Sequence, residues 1–324
     1  MNTKKMRYVW FLVILCIFCL TLFLARTRSK VEMRNRIYHQ WNEHFVVSKG
    51  KESYVRTTND SNQTVVLSEA QSYGMLITVA AAKKGQAQQA DFDRLYHYYL
   101  NHRLEGTQLM SWKQTIRNGK AKDEDHNATD GDLYIAYALL KAAQQWPKQA
   151  KDYQAQAKAI LEDILAHNYN EETGVLTVGN WANQDSEFYH LMRTSDTLPA
   201  QFQIFYEVTK DSKWLDIKEK MLQQLQTISS QTKTGLLPDF IWVDEQGTRV
   251  ADPKTIESKY DGAYSYNACR LPYNLVQSKD ATSQQLVKKM LNFFKSQRNL
   301  YAGYDLKGKA LNNHQAASFL APIV

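Results

Sequence analysis

Carboxylates at the starts of two apolar, helix-periodic runs are the first residues able to do chemistry in this 324-residue chain. Glu69 follows Ser68 and opens the run Glu-Ala-Gln-Ser-Tyr-Gly-Met-Leu, while Asp130 and Asp132 lie in Ala-Thr-Asp-Gly-Asp, ahead of Leu-Tyr-Ile-Ala-Tyr-Ala-Leu-Leu. Two carboxyl groups on separate elements can divide proton donation and proton abstraction between them. Singly, each position is also what a helix start selects for itself. An acid in the first turn complements the helix dipole, and Thr129 or Asp130 can cap the orphan N–H groups. The cluster Asp123-Glu124-Asp125 reads as a solvated turn. As a calcium loop it lacks Gly at the sixth position, and its twelfth is Tyr134 rather than Glu.

Other chemistries find no residues to carry them. The eight His are scattered without a His-Glu-x-x-His pair, and no Cys pair has ligand spacing outside the apolar N-terminal stretch. No phosphate-cradling glycine loop or serine elbow occurs. Neither a metal nor another cofactor is expected.

The elements that must position these acids are mostly helical. Only thirteen Gly and six Pro interrupt the chain. Ser68 precedes a run in which Met75, Leu76, Val79 and Ala80 recur at helix spacing, and a second run opens at Thr129 or Asp130 and ends before Pro147. Five further amphipathic stretches, from Ala-Lys-Ala-Ile-Leu to Ser-Gln-Gln-Leu-Val, alternate with short polar loops. Such repetition predicts a closed or stacked array of helical hairpins in one domain. The exception is the stretch from Thr234 to Tyr264, rich in Asp, Gly and Pro, which predicts an ordered functional loop with a short hairpin at Asp-Glu-Gln-Gly.

The net charge of +7 raises the question of a polyanionic partner. Residues 1–36 hold eight cations and one acid, whereas the remainder holds 32 of each. The body therefore has no bias towards nucleic acid. The N-terminal cations flank an uncharged stretch from Tyr8 to Ala25, close to the roughly 20 residues that span a bilayer. A cleaved signal peptide is the competing reading, but no small-x-small site follows. Cations are equally dense on both sides of the stretch, so the loop-charge rule leaves its orientation open. The expectation is residues 1–36 as a cytoplasmic tip, transmembrane signal anchor and basic stalk, with residues 37–324 as an extracellular body on the cell membrane. Two of the three Cys lie in the span, so no disulfide framework is available.

Several motifs together resemble glycoside hydrolase family 8. Ser68-Glu69-Ala70-Gln71-Ser72-Tyr73-Gly74-Met75 resembles that family's first signature. Asp130 and its helix resemble the second, and Leu109-Met110-Ser111-Trp112 lies between them. Ser195-Asp196-Thr197-Leu198-Pro199, Thr234-Gly235-Leu236-Leu237-Pro238-Asp239 and Tyr266-Asn267-Ala268-Cys269-Arg270-Leu271-Pro272 follow in family order. The resemblance covers about residues 40–322 and implies an all-α (α/α)6 barrel whose cleft binds a β-linked polysaccharide. The implied activity is inverting hydrolysis of β-1,4 linkages in a β-glucan or chitosan-like chain, which needs two carboxyls far enough apart to admit a water.

By the same resemblance Glu69 is the proton donor and Asp130 the acid at the cleavage subsite. Arg270 and Tyr73 contact substrate or carboxylate, and Trp112 and Trp181 are stacking platforms unless they are core residues. Many members carry a base Asp where this chain has Asn267. A branch with Asn there takes its base from a preceding loop, and Asp196 after Ser195 also resembles that branch; Asn267 and Asp196 are expected among the substrate contacts. The loop here offers Asp244, Glu245, Asp252, Glu257 and Asp261. Asp244 and Glu245 read as a hairpin tip and Asp252 as a turn former. Glu257, ten residues before Asn267, is the first choice for the base and Asp261 the second. The alternative is a pseudoenzyme that binds β-glycan without cleaving it. A glycan synthase on the same membrane is a possible partner.

Overall fold

The computed structural model describes residues 3–58 and 62–323. The side chains of Lys4 and Lys5, two of the flanking cations, lie outside the described residues. Helix α1 (Thr3–Phe45) runs unbroken through the apolar stretch and on through the basic segment. Neither Gly nor Pro interrupts it, and Arg28 pairs with Glu32 one turn later at 2.9 Å. The expected division after Arg36 therefore falls inside a helix. Its last turns carry Tyr38 and Trp41, which pack on Ala81 and Ala82 of α2 (Ser68–Ala82).

Beyond α1 the helices alternate between two layers, the expected all-α (α/α)6 arrangement. Inner helices α2, α4 (Thr129–Gln145), α6 (Pro199–Thr209) and α8 (Leu271–Val276) alternate with outer helices α3 (Gln89–Asn101), α5 (Ala150–His167), α7 (Lys213–Ser230) and α9 (Ala281–Ser296). The short α10 (Ala317–Leu320) follows. Burial explains the layers. In α7 the buried residues Trp214, Ile217, Met221, Leu222, Leu225 and Ile228 form one stripe, as a surface helix requires. In α4 every residue from Thr129 to Ala136 is buried, so this helix has no solvent face at its start. The sequence reading did not anticipate α3 and α10.

Three small antiparallel sheets decorate the helical body: β1 (Val46–Lys49) with β2 (Glu52–Val55), β3 (Thr64–Leu67) with β4 (Lys113–Arg117) and β5 (Lys120–Asp123), and β6 (Leu191–Arg193) with β7 (Phe240–Asp244) and β8 (Gly247–Val250). The β7–β8 hairpin turns at Asp244-Glu245-Gln246-Gly247, where the loop motif predicts it. Strand β3 runs straight into α2, and β6 leads into a 3-10 turn over Thr194–Asp196. Two expected helix starts differ in detail. Ser68 lies within α2 rather than before it, and its N–H donates to the Trp112 carbonyl at 2.9 Å. At α4 the Thr129 hydroxyl donates to the Thr177 carbonyl at 2.6 Å, so Thr129 is not a cap. Neither start has a side-chain cap, which leaves the first-turn acids free to meet other groups.

Candidate active site

The starts of α2 and α4 meet because residue 131 has no side chain. A Cβ on Gly131 would overlap the Ser68 side chain, so any larger residue would push the two helix ends apart. This approach brings Glu69 and Asp130 onto one guanidinium. Arg270 Nη1 hydrogen-bonds the Glu69 carboxylate and lies 3.2 Å from Asp130 Oδ2, and it reaches the Tyr73 hydroxyl at 3.3 Å. Its Nη2 donates to Ser195 Oγ at 2.9 Å and to Asn267 Oδ1 at 2.7 Å. The planar fork thus ties α2, α4, the turn after β6 and the Asn267 turn together, which a single ammonium could not do.

A second guanidinium lies beside the first. Arg193, at the end of β6, pairs with Asp130 Oδ1 at 3.1 Å, Asp196 Oδ2 at 3.6 Å and Glu257 Oε1 at 3.4 Å. The amide of Asn267 donates to Glu257 Oε2 at 2.8 Å. Six of the expected residues, Glu69, Tyr73, Asp130, Glu257, Asn267 and Arg270, therefore belong to one network. Within it, the side chains of Glu69 and Glu257 are 35% and 45% exposed, against 7% for Asp130 and 1% for Asp196. Only the first two can meet a ligand directly without rearrangement. Asp196, expected among the substrate contacts, is instead buried behind Arg193, 1% exposed, where solvent has no access.

Asp261 is likewise placed away from the cluster. Its carboxylate accepts the backbone N–H groups of Ile256 at 2.8 Å, Glu257 at 3.1 Å and Ser258 at 2.8 Å, and it is fully buried. This second candidate for the base is therefore the anchor of the segment that carries the first. Asp239 plays the matching part for the Asn267 turn, accepting from Ser265 N at 3.0 Å and Ala268 N at 2.7 Å. The sequence reading gave no role to Asp239 or Arg193. A lone Arg within the otherwise apolar Leu-Met-Arg strand was the available signal for the latter.

The environment separates the carboxyl groups electrostatically. Burial raises the affinity of Glu69 for its proton, and the neighbouring Asp130 charge adds to this against the opposing pull of Arg270. For Asp130 burial acts the same way, but Arg193 and Arg270 outweigh it and hold the group below the ordinary carboxylate range. Burial pushes Asp196 up to about 8 despite Arg193 and Asp239 up to about 7 despite its N–H donors. A carboxyl raised by burial next to one held low by guanidiniums is the direction of separation that general acid catalysis needs. Among the described residues no group of three or more His, Cys, Asp or Glu could hold a metal ion.

Aromatic faces adjoin this cluster. The Trp112 ring stacks on His126 at 5.8 Å, His126 meets Trp181 edge-on at 6.1 Å, and Phe188 links Trp181 to Trp242. All five rings are half-buried, and Trp181, Phe188 and Trp242 pack against a small buried cluster that includes Val178 and Phe240. The row follows the segment leading into α4, since Thr129 N–H donates to the Val178 carbonyl at 3.2 Å.

Carboxylates presented from inner-helix starts, paired with guanidinium forks and flanked by a row of half-exposed rings, define a carbohydrate-active protein of the helical-barrel class. The chain belongs to glycosyl hydrolases family 8, whose sequence profile matches residues 13–323. It is 30% identical over 298 residues to a beta-glucanase of Niallia circulans, covering 88% of this chain and 72% of that protein. It is 30% identical to an endoglucanase of a Bacillus species, covering 79% and 57%, and 27% identical to endoglucanase A of Acetivibrio thermocellus, covering 93% and 61%. The chain thus spans less than two thirds of the latter two. Among solved structures it is similar to the apo beta-1,3-1,4-glucanase of Paenibacillus sp. X4, with a TM-score of 0.81, 27% identity and coverage of 91% and 81%. It shares its fold with the endo-beta-1,4-glucanase of Acetobacter xylinum, with a TM-score of 0.71, 23% identity and coverage of 90% and 87%.

Proposed function

We propose that this protein is a membrane-anchored, inverting endo-β-glucanase that cleaves β-1,4 linkages, with a neutral β-glucan preferred over chitosan. The observation that carries the reading is the hydrogen bond from Asn267 to Glu257. The amide at the position where many relatives have a base Asp holds a solvent-reaching loop carboxylate beside the acid cluster. A pseudoenzyme would have no reason to keep that carboxylate seated.

In this mechanism Glu69, whose hold on its proton is strengthened by burial, gives that proton to the leaving glycosidic oxygen. Glu257 takes a proton from a water that attacks the anomeric carbon from the opposite side. The C–O bond to the leaving sugar breaks as the bond to water forms, and the configuration inverts. Asp130 stays charged between its two guanidiniums, from where its charge acts on Glu69 at the cleavage point. Trp112 and Trp181 support neighbouring sugar rings through their apolar faces. The names of the relatives, beta-glucanase and endoglucanase, support glucan as the substrate class.

The apolar run of α1, with mean hydropathy 2.7, is long enough to cross a membrane and supports an anchored enzyme; the body is placed outside because its polymeric substrate is. Because α1 continues as a helix into the body and packs on α2, it would hold the cleft at a set height above the bilayer. The test is to incubate the full-length chain with mixed-linkage glucan and cello-oligosaccharides and follow the first product by proton NMR. The expected result is the α-anomer at the new reducing end, and loss of about 10²–10⁴-fold in turnover for Glu69→Gln with oligosaccharide binding retained. A β-anomeric first product, or normal turnover by that variant, would overturn the assignment.

A further inference from the structure

Glu257 lies on a segment with neither helix nor strand to fix it, so its side chain must be held by what it touches. Asn267 supplies a neutral donor to one oxygen. On the other, Arg193 is the cation paired with it among the described ion pairs. Charge-assisted contacts of this kind are the stronger ones. Arg193 is itself tightly placed. It is 8% exposed, its guanidinium lies 5.6 Å from the centre of the Phe240 ring, and its strand pairs with Phe240 in β7. Strand β7 in turn is tied to the base-bearing segment, because Phe240 N–H donates to the Asp261 carbonyl at 3.0 Å.

The same guanidinium reaches Asp130 on α4 and is backed by Asp196 from the turn behind it. One side chain therefore contacts carboxylates from the inner-helix start, the turn and the loop. We propose that Arg193 is the positioning residue that seats the Glu257 carboxylate and couples its placement to that of Asp130. This rests on the reading of Glu257 as the base. Arg193 touches neither the water nor the sugar; it acts through Glu257. A Lys in its place would keep the charge but not the fork that reaches three carboxylates at once.

The test compares Arg193→Met and Arg193→Lys with Glu257→Gln in the full-length chain, measuring kcat and KM on β-glucan oligosaccharides. Arg193→Met is expected to lower kcat by on the order of 100-fold with KM changed little, the cost of a misplaced catalytic group. Arg193→Lys, which keeps the charge without the fork, is expected to lose about tenfold in kcat.

A purely structural role would lower the melting temperature and leave the kcat of the folded fraction unchanged, which overturns the proposal. If Arg193→Met does not fold, Arg193→Lys decides, and original kcat in that variant overturns it equally. Normal turnover by Glu257→Gln would instead remove the assignment of the base. An inactive Glu257→Gln together with unaltered Arg193 variants would remove the role of Arg193 alone.

Discussion

The two solvent-reaching carboxylates of the cluster are held by opposite kinds of structure. Glu69 is placed by backbone. It lies in the first turn of α2, whose start is pinned to Trp112 and pressed against α4 at Gly131. Glu257 is placed by side chains. Asp261 gathers the N–H groups around it, and Asn267 and Arg193 hold its two oxygens. The helix side is therefore expected to tolerate the loss of one polar contact better than the loop side. In the proposed mechanism the acid is set at a helix start beside a guanidinium and the base on a pinned loop whose two oxygens are aimed by their partners.

The sharpest way to break this comparison is on the loop. Asp261→Ala removes the acceptor for three backbone N–H groups, and the expected outcome is a fall in kcat of about 100-fold from misplacement of Glu257, with KM changed far less. Steady-state kinetics checks this, and an unchanged kcat would show that the loop holds its shape without that anchor.

A smaller effect sharpens the helix side. Asp132, in the first turn of α4, accepts from Met110 N and Asn127 Nδ2 at 2.8 Å each, but burial outweighs both donors and pushes it up to about 8. A carboxyl raised in the folded state binds its proton more tightly folded than unfolded. Its contribution is complete below the unfolded value near 4 and is lost as pH rises through about 8. The melting temperature should therefore fall by a few degrees between pH 6 and pH 9, and Asp132→Asn should flatten that slope. Calorimetry at the two pH values measures both, and an equal slope in the variant would contradict the account.

The contrast also explains what was legible beforehand. Glu69 and Asp130 stand out because helix periodicity begins at them, and the stripes of α5, α7 and α9 announce the outer layer. The hairpin at Asp244–Gly247 was legible from its turn residues. Asp196 and Asp261 were misplaced because sequence reveals a carboxylate but not which way it faces. One is buried behind a guanidinium and the other is turned inward onto backbone N–H groups. Arg193 was missed for the converse reason: in a strand of three buried residues its charge makes sense only once the carboxylates from α4 and the loop are brought to it. The cap expected at Thr129 failed because a tertiary acceptor, the Thr177 carbonyl, took its hydroxyl.

The assignment of Glu257 as the base is tested most directly by Glu257→Ala in the full-length chain, assayed on cello-oligosaccharides with and without sodium azide. The account predicts that hydrolysis is lost, and that azide, which needs no base to deprotonate it, restores turnover with an α-glycosyl azide as product. Hydrolysis at the original rate without azide, or a glycosyl azide of β configuration, would contradict it.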